Sequence, residues 1–441
     1  MVVRLRFERG RILVDGGTIL LDGLKTSDNY PAYRYWDIID HLHKTKQDYK
    51  DNALVKQQVP RLDSEIKLRD YQLESISKWK ENKCRGIIVL PTGAGKTVVA
   101  LKAIEELKSS TLIVVPTLVL VDQWRDELKK TFNVEVGALG GGKEDIRPLT
   151  VSTYDSSSLR SRKLGNLFDL IVFDEIHHLP SPRNRRIAIR YLAPYRLGLT
   201  ATPPSDEESM ELLEAIVGGV VYRLGVEDLA GEHLSDYTVK TIRLPLTPEE
   251  KGEYDRLYGV YRDFLRRRNI RIRSARDYMR FVQRSGRDPE ARRALLSRNR
   301  AMDTAFNSES KIAYLKSLLS ANPDEKSIIF TNNNNLVYRL SKEMLIPAIT
   351  HQTPRDEREY ILSKFHDGTY LRILTSRVLD EGVDVPDASM GVIISGSGSN
   401  RQFVQRLGRI LRKKPGKQAV LYELVSVGTA ETYISQRRRR S

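Results

Sequence analysis

Two series of short, nearly continuous apolar runs alternate with helical patterns along this chain, and that alternation limits the fold more than any other feature. In the first series, Gly86–Leu90 (GIIVL), Thr111–Val115 (TLIVV), Leu149–Ser152 (LTVS), Leu170–Phe173 (LIVF) and Arg196–Leu199 (RLGL) read as strands. Helix candidates such as Thr97–Leu107 and Leu118–Lys130 lie between them. A second series starts near Lys326 with SIIF and continues through AIT, RILT, GVIIS and AVLYEL. Strands apolar at almost every position must be covered on both faces, which a parallel sheet flanked by crossover helices provides. The expected fold class is therefore α/β, with two doubly wound parallel-sheet domains. A chain of 441 residues also exceeds what one hydrophobic core serves.

Two segments fall outside this pattern. Residues 1–62 hold the short alternating runs Val2–Phe7 and Arg11–Val14 and an aromatic cluster, Tyr30, Tyr33, Tyr35 and Trp36. They suggest a small mixed α/β or β-rich accessory domain. Between the two series, Tyr254, Leu257, Tyr258, Tyr261 and Leu265 recur at three- and four-residue spacing, which predicts a helical insert. The expected organisation is 1–62, 63–237, 238–305 and 306–441.

Charge singles out the insert. The chain carries 73 Lys+Arg against 57 Asp+Glu, a formal charge of +16. Between Tyr261 and Arg300 there are 14 Arg, no Lys and four acids, a net of +10, and Arg437–Arg440 adds four more. These 44 residues hold +14 of the +16, so the rest of the chain is nearly neutral. A basic run is often a solvated face, but arginine without lysine favours the guanidinium fork that matches phosphate oxygens. The single cysteine, Cys84, excludes a disulfide framework or a cysteine-based zinc site within this chain. No apolar run approaches the ~20 residues of a membrane span, and the basic start lacks a hydrophobic signal region. An intracellular location without membrane partners is the expectation.

The residues that carry chemistry sit where strands end. Leu90–Thr97 reads LPTGAGKT, directly after one strand and opening a helix. Gly93, Ala94 and Gly95 would turn backbone N–H groups around a phosphate chain, Lys96 would reach the β/γ-phosphates, and the Thr97 hydroxyl would ligate Mg²⁺. Leu90 stands where the general pattern has its first glycine. Asp174 and Glu175 end the run LIVF. A carboxylate there can hold Mg²⁺, and its neighbour can polarise an attacking water. His177 and His178 follow; as neighbours in an extended segment they would point to opposite faces, and read as coupling or packing residues rather than metal ligands. In the second series, Arg406, Arg409 and Arg412 recur every third residue in QRLGRILR, and Asp380–Asp384 forms an acidic loop after RILT.

Taken in order, these strings resemble the superfamily-2 helicase core, a pair of RecA-like domains that bind ATP in the cleft between them. Leu68–Gln72 (LRDYQ) is similar to the adenine-reading element, LPTGAGKT to motif I, Pro116-Thr117-Leu118 to motif Ia and Thr150–Asp155 to motif Ic. Asp174–His177 resembles motif II, Leu199–Thr202 motif III, Ile328–Asn332 motif IV, Thr375–Pro386 motif V and Gln405–Arg412 motif VI. DEIHH, RLGLTAT, VLDEGVDVP and QRLGRILR, with an N-terminal domain and a helical insert, look most like the XPB family of repair and transcription helicases, in its short archaeal form.

The resemblance implies a DNA-dependent ATPase with ATP and Mg²⁺ as cofactors and 3′→5′ polarity. Arg69 and Gln72 would address adenine, and Gly382 and Asp384 would line the nucleotide. Gln405, Arg409 and Arg412 would complete catalysis with Lys96, Asp174 and Glu175, the last as general base. Pro116, Thr117 and Thr153 would contact the DNA backbone. Residues 1–60 would be a damage-recognition domain and about 240–305 a thumb-like grip on DNA, with Arg266, Arg267, Arg268, Arg271 and Arg273 its contacts. Junctions of single-stranded and duplex DNA, and a nuclease partner, would be its partners, with the chain a monomer or half of a heterodimer. After LTAT the family carries an Arg-Glu-Asp triplet implicated in strand separation. Here the chain reads Pro204-Ser205-Asp206-Glu207, with Ser205 at the arginine position. Three readings follow: an unwinding helicase, a duplex translocase that does not unwind alone, and a non-motor module that binds damaged DNA.

Overall fold

The computed structural model describes residues 2–16, 19, 21, 27–229, 236–376, 388–395 and 418–439. The chain forms two compact units, residues 1–229 and 230–441.

The first unit begins with a four-stranded sheet of β1 (Val3–Glu8), β2 (Arg11–Asp15), β3 (Asn29–Pro31) and β4 (Tyr49–Asn52), in the order β3-β2-β1-β4. A two-residue turn joins β1 to β2. Arg9 and Gly10 both have positive φ (47° and 89°), the mirror-image turn that suits a tight hairpin. Val3, Leu5, Ile12 and Val14 face inward onto Tyr35, Ile38 and Leu42 of α1 (Tyr35–Lys44). This layer docks on the body behind it. The Val55 N–H donates to Asn166 O (2.9 Å), and the Asn166 side chain returns a bond to Ala53 O (2.9 Å).

That body is an eight-stranded sheet of β5 (Arg85–Val89), β6 (Thr111–Val115), β7 (Gly137–Gly140), β8 (Lys143–Asp145), β9 (Leu149–Thr153), β10 (Leu170–Asp174), β11 (Tyr195–Thr200) and β12 (Val220–Arg223). Its order is β12-β5-β11-β10-β6-β9-β7-β8, with every pair parallel except β7/β8. The five apolar runs are β5, β6, β9, β10 and β11. The remaining three strands lack an apolar signature: GALG is glycine-rich, KED is exposed, and VVYR is only half-buried. Helices α2 (Asp70–Glu81), α3 (Lys96–Leu107), α4 (Leu118–Phe132), α5 (Tyr154–Leu164), α6 (Arg185–Arg190), α7 (Glu207–Val217) and α8 (Val226–Leu229) connect the strands. Because the connections cross over, the carboxyl ends of the neighbours β5, β11, β10, β6 and β9 share one edge.

The second unit holds a six-stranded, all-parallel sheet of β13 (Asp236–Leu244), β14 (Ser327–Phe330), β15 (Ala348–Ile349), β16 (Arg372–Thr375), β17 (Met390–Ile393) and β18 (Gln418–Ser426). The order is β13-β18-β17-β14-β16-β15. Here the structure departs from the expected helical insert. Residues 238–244 form a strand that pairs with β18, because β-branched Thr238, Val239, Thr241 and Ile242 suit an extended edge. Helix begins only at α9 (Pro248–Arg267), where Thr247 and Glu250 form a reciprocal capping box ahead of Pro248. α10 (Ala275–Ser285) and α11 (Pro289–Phe306) complete a helical layer, capped by Ser274 and Asp288. Its core includes Tyr261, Phe264, Phe281, Ala291 and Ala294, with Leu265 only partly buried beside it. α12 (Glu309–Ala321), α13 (Asn334–Met344), α14 (Arg355–His366) and a last helix, Glu431–Arg439, flank the sheet.

One buried ion pair ties these pieces together. Lys311 on α12 and Glu431 on the last helix are both fully buried, with Nζ 2.8 and 2.7 Å from the two carboxylate oxygens. Lys311 also donates to Ile394 O (2.9 Å), and Glu431 accepts from Ser426 N (2.9 Å). Breaking such a pair from one side leaves a buried charge uncompensated. Lys311→Met is expected to destabilise the second unit by about 3–5 kcal/mol, and adding Glu431→Leu should recover most of that loss in denaturant titrations.

Candidate active site

The shared carboxyl edge gathers the chemistry. The segment after β5 runs 90–95 into α3, with Gly93 and Gly95 at φ +87° and +79°. A Cβ on Gly95 would sit 2.5 Å from Gln72 Nε2, so glycine is required there by both conformation and space. Gln72 is buried and donates to Ala94 O (3.0 Å), while its carbonyl accepts from Arg69 N (3.0 Å). The Tyr71 hydroxyl donates to the same Ala94 O (2.8 Å). Of the two residues expected to address adenine, Gln72 thus braces the phosphate loop and Arg69 holds Gln72, with Tyr71 as an additional brace. The Lys96 ammonium lies against the loop, donating to Leu90 O at 3.3 Å. Thr97 follows in the first turn of α3.

Two strands away, Asp174 closes β10 and is almost completely buried. Trp124 Nε1 donates to its Oδ2 (2.9 Å), the Glu175 N–H to its Oδ1 (3.0 Å), and the Tyr154 hydroxyl to its backbone O (3.0 Å). Burial, and next the charge of Glu175, push its carboxyl up to about 6, while the Trp124 bond and the Lys96 charge oppose that rise. Glu175 has φ +48°, a left-handed conformation that a glutamate adopts only under constraint. This turn corrects the expectation for the histidines: they lie in a 3₁₀ turn and not on opposite faces, with rings 4.3 Å apart. The Thr200 hydroxyl, at the end of β11, is the hub between strands. It lies 3.4 Å from Glu175 Oε2, 3.2 Å from His177 Nδ1 and 3.0 Å from Thr202 O. Among the described residues no cluster of three or more His, Cys, Asp or Glu is placed to hold a metal ion.

Sequence reasoning had no means to single out Trp124, Tyr154 and Thr200 for these roles. Tyr154 and Thr200 lay in visible motifs and Trp124 only in a helical pattern, and their bonds span 20, 25 and 50 residues of chain. Replacing Glu175 with Asn, which tolerates left-handed φ and removes the charge beside Asp174, is expected to raise the melting temperature by about 1–4 °C.

The candidate nucleic-acid contacts occupy the same edge and the helical layer. Pro116 and Thr117 follow β6, and Thr153 ends β9. The Thr117 hydroxyl accepts from Leu120 N (3.4 Å) and that of Thr153 from Ser156 N (3.2 Å), so both start helices. In the second unit Arg266, Arg267, Arg268, Arg271 and Arg273 are all exposed. Arg266 pairs with Asp263 (3.1 Å) and Arg268 with Glu290 (2.9 Å). The other three have no carboxylate partner among the described residues. Ser205 is exposed, and Asp206 is the N-cap of α7, accepting from Ser209 N (2.9 Å). Gly382, Asp384, Gln405, Arg409 and Arg412 lie outside the described residues.

Comparison with known proteins places the chain in a family. Residues 65–205 match the family described as type III restriction enzyme, res subunit, and residues 298–441 match the ERCC3/RAD25/XPB C-terminal helicase family. The chain is 45% identical to the DNA 3′-5′ translocase XPB2 of Sulfurisphaera tokodaii, over 99% of this chain and 100% of that protein. It is 31% identical to the putative DNA 3′-5′ helicase Rad25 of Haloarcula marismortui, over 86% of this chain and 55% of that protein. Against the DNA 3′-5′ helicase XPB of Mycobacterium tuberculosis the figures are 29%, 85% and 63%. Among solved structures, the Pyrococcus furiosus Hef helicase domain superposes with a TM-score of 0.54 at 21% identity, covering 85% of this chain and 98% of that one, a likeness of fold. Two RecA-like parallel sheets, together with identity that runs the full length of one XPB protein, show that the chain belongs to the XPB family of superfamily-2 helicases.

Proposed function

We propose that this chain is a DNA-dependent ATPase that couples hydrolysis to 3′→5′ movement on DNA. The observation that carries the reading is the row of Lys96, Asp174, Glu175 and Thr200 along neighbouring strand ends of one sheet. Lys96 and the backbone of Gly93, Ala94 and Gly95 hold the triphosphate. The Thr97 hydroxyl and the Asp174 carboxylate are hard oxygen donors of the kind Mg²⁺ takes, which fits both to that ion. When bound, Mg²⁺ would neutralise charge that builds on the transferred phosphoryl oxygens. Glu175, held in its strained turn and touched by Thr200, takes the proton of the attacking water. The Trp124 bond favours the ionised form of Asp174 against its burial. Gln405, Arg409, Arg412, Gly382 and Asp384 are assigned to the same reaction by the family resemblance.

In this reading residues 1–62 recognise damage, 238–305 grip DNA, and the work belongs inside the cell, in DNA repair or transcription beside a nuclease partner. Ser205 favours the duplex translocase over the unwinding helicase. The arginine of the strand-separating triplet is missing, and Asp206 is committed to capping α7.

Glu175→Gln is expected to bind ATP normally and to lose nearly all DNA-stimulated turnover; turnover near wild type sinks the base assignment. Run beside strand displacement on forked and 3′-tailed duplexes, the same ATPase assay decides the second question. Turnover without displacement identifies the translocase, and absence of both identifies a binding module. For the insert, replacing several of Arg266, Arg267, Arg268, Arg271 and Arg273 should reduce the slope of log affinity against log salt by about one unit per lost phosphate contact. An unchanged slope returns those arginines to a solvated face.

A further inference from the structure

We propose that a cavity between α9 and the last helix is a subsite for one unstacked base of a DNA strand. The cavity encloses about 610 Å³ and is lined by Tyr254, Tyr258, Gly259 and Arg262 from α9 and by Tyr433 and Gln436 from the helix Glu431–Arg439. It lies past the carboxyl ends of the adjacent parallel strands β13 and β18, where Gly428, Thr429 and Ala430 after β18 complete its lining.

Its walls suit a flat, aromatic, anionic ligand. Tyr254 and Tyr258 stack nearly parallel, 5.3 Å between centroids at 11°. Tyr254 is buried and its hydroxyl accepts from Ala430 N (2.8 Å), which fixes the last helix against α9. Tyr433, by contrast, is 72% exposed. Gly259 opens the floor. A Cβ there would meet no atom within 4 Å, so internal packing does not call for glycine, a poor residue for a helix interior. A bare backbone at that point lets a planar ring approach the helix. Arg262 lies one turn further on and has no carboxylate partner among the described residues, whereas Asp255 is paired with Lys251 and Glu431 is turned inward to Lys311. The charge left facing the cavity is therefore positive, and Arg267, without a carboxylate partner among the described residues, stands at the end of the same helix. Stacking faces beside a guanidinium, with the Gln436 amide available at one edge, form the kind of platform that holds unpaired bases in single-strand binding proteins.

This inference rests on the DNA reading above, and the test separates the two. Affinities of the full chain are measured for a fluorescein-labelled 20-mer single strand and for the blunt duplex of the same length, with 2-aminopurine in the single strand reporting stacking. In Tyr433→Ala, and in Gly259→Leu, which fills the cavity while favouring helix, single-strand affinity should fall about tenfold, the scale of one stacked base. The 2-aminopurine quench should disappear, duplex affinity should stay within twofold, and Tyr433→Phe should behave as wild type. Single-strand binding unchanged in both variants overturns the subsite while leaving the DNA reading intact. Equal loss on both substrates overturns it too, in favour of a general electrostatic or structural effect. A wild-type chain that binds neither substrate overturns the DNA reading and the subsite together.

Discussion

Parallel pairing of strands buried on both faces is the constraint on which the rest of this molecule depends. A parallel pair cannot be joined by a hairpin, so each connection must cross the sheet, and most do so as a helix. Every strand joined in this way then ends on the same edge. In the first unit that edge presents, in order, the phosphate loop after β5, Thr200 on β11, Asp174 on β10, Thr117 after β6 and Thr153 on β9. Residues more than 100 positions apart in the chain become neighbours through backbone topology alone.

The edge is also where folding energy is withheld. Burial disfavours the charged form of Asp174, its neighbour adds repulsion, and Glu175 holds a backbone conformation that glycine or asparagine would adopt more readily. Trp124, Tyr154, Thr200 and the charge of Lys96 hold the pair in place from four other elements. Such a cluster makes sense as a prepared site and not as a contribution to stability.

How much could be read from the sequence follows from the same physics. Strands hidden on both faces must be apolar throughout, so β5, β6, β9, β10 and β11 were visible as GIIVL, TLIVV, LTVS, LIVF and RLGL. The edge strands β8 and β12 carry no such mark, and β7, though buried, is half glycine, so these three were missed. The alternation of Lys240 and Arg243 with Val239 and Ile242 disguised β13 as part of the basic insert. Site residues written into local strings, Lys96, Asp174 and Glu175, were legible. Gln72's hold on the loop, the Trp124 bond to Asp174 and the left-handed turn at Glu175 depend on the assembled sheet, which no local pattern encodes.

α9 has a mechanical side. It starts four residues after β13 ends, at Pro248, and runs 20 residues to Arg267, about 30 Å of nearly rigid rod. Acidic Glu249 and Glu250 stand in its first turn and Arg266 and Arg267 in its last. The positive tip thus stands at the far end of the rod from the sheet edge, with Phe264 just before it buried against α10 and α11. A tilt of about 10° at Thr247 would sweep those arginines through about 5 Å, more than the ~3.4 Å between successive phosphates along the axis of one strand. Because Tyr261 and Phe264 lock α9 to the other helices of its layer, a rotation at its root would carry that whole layer with it.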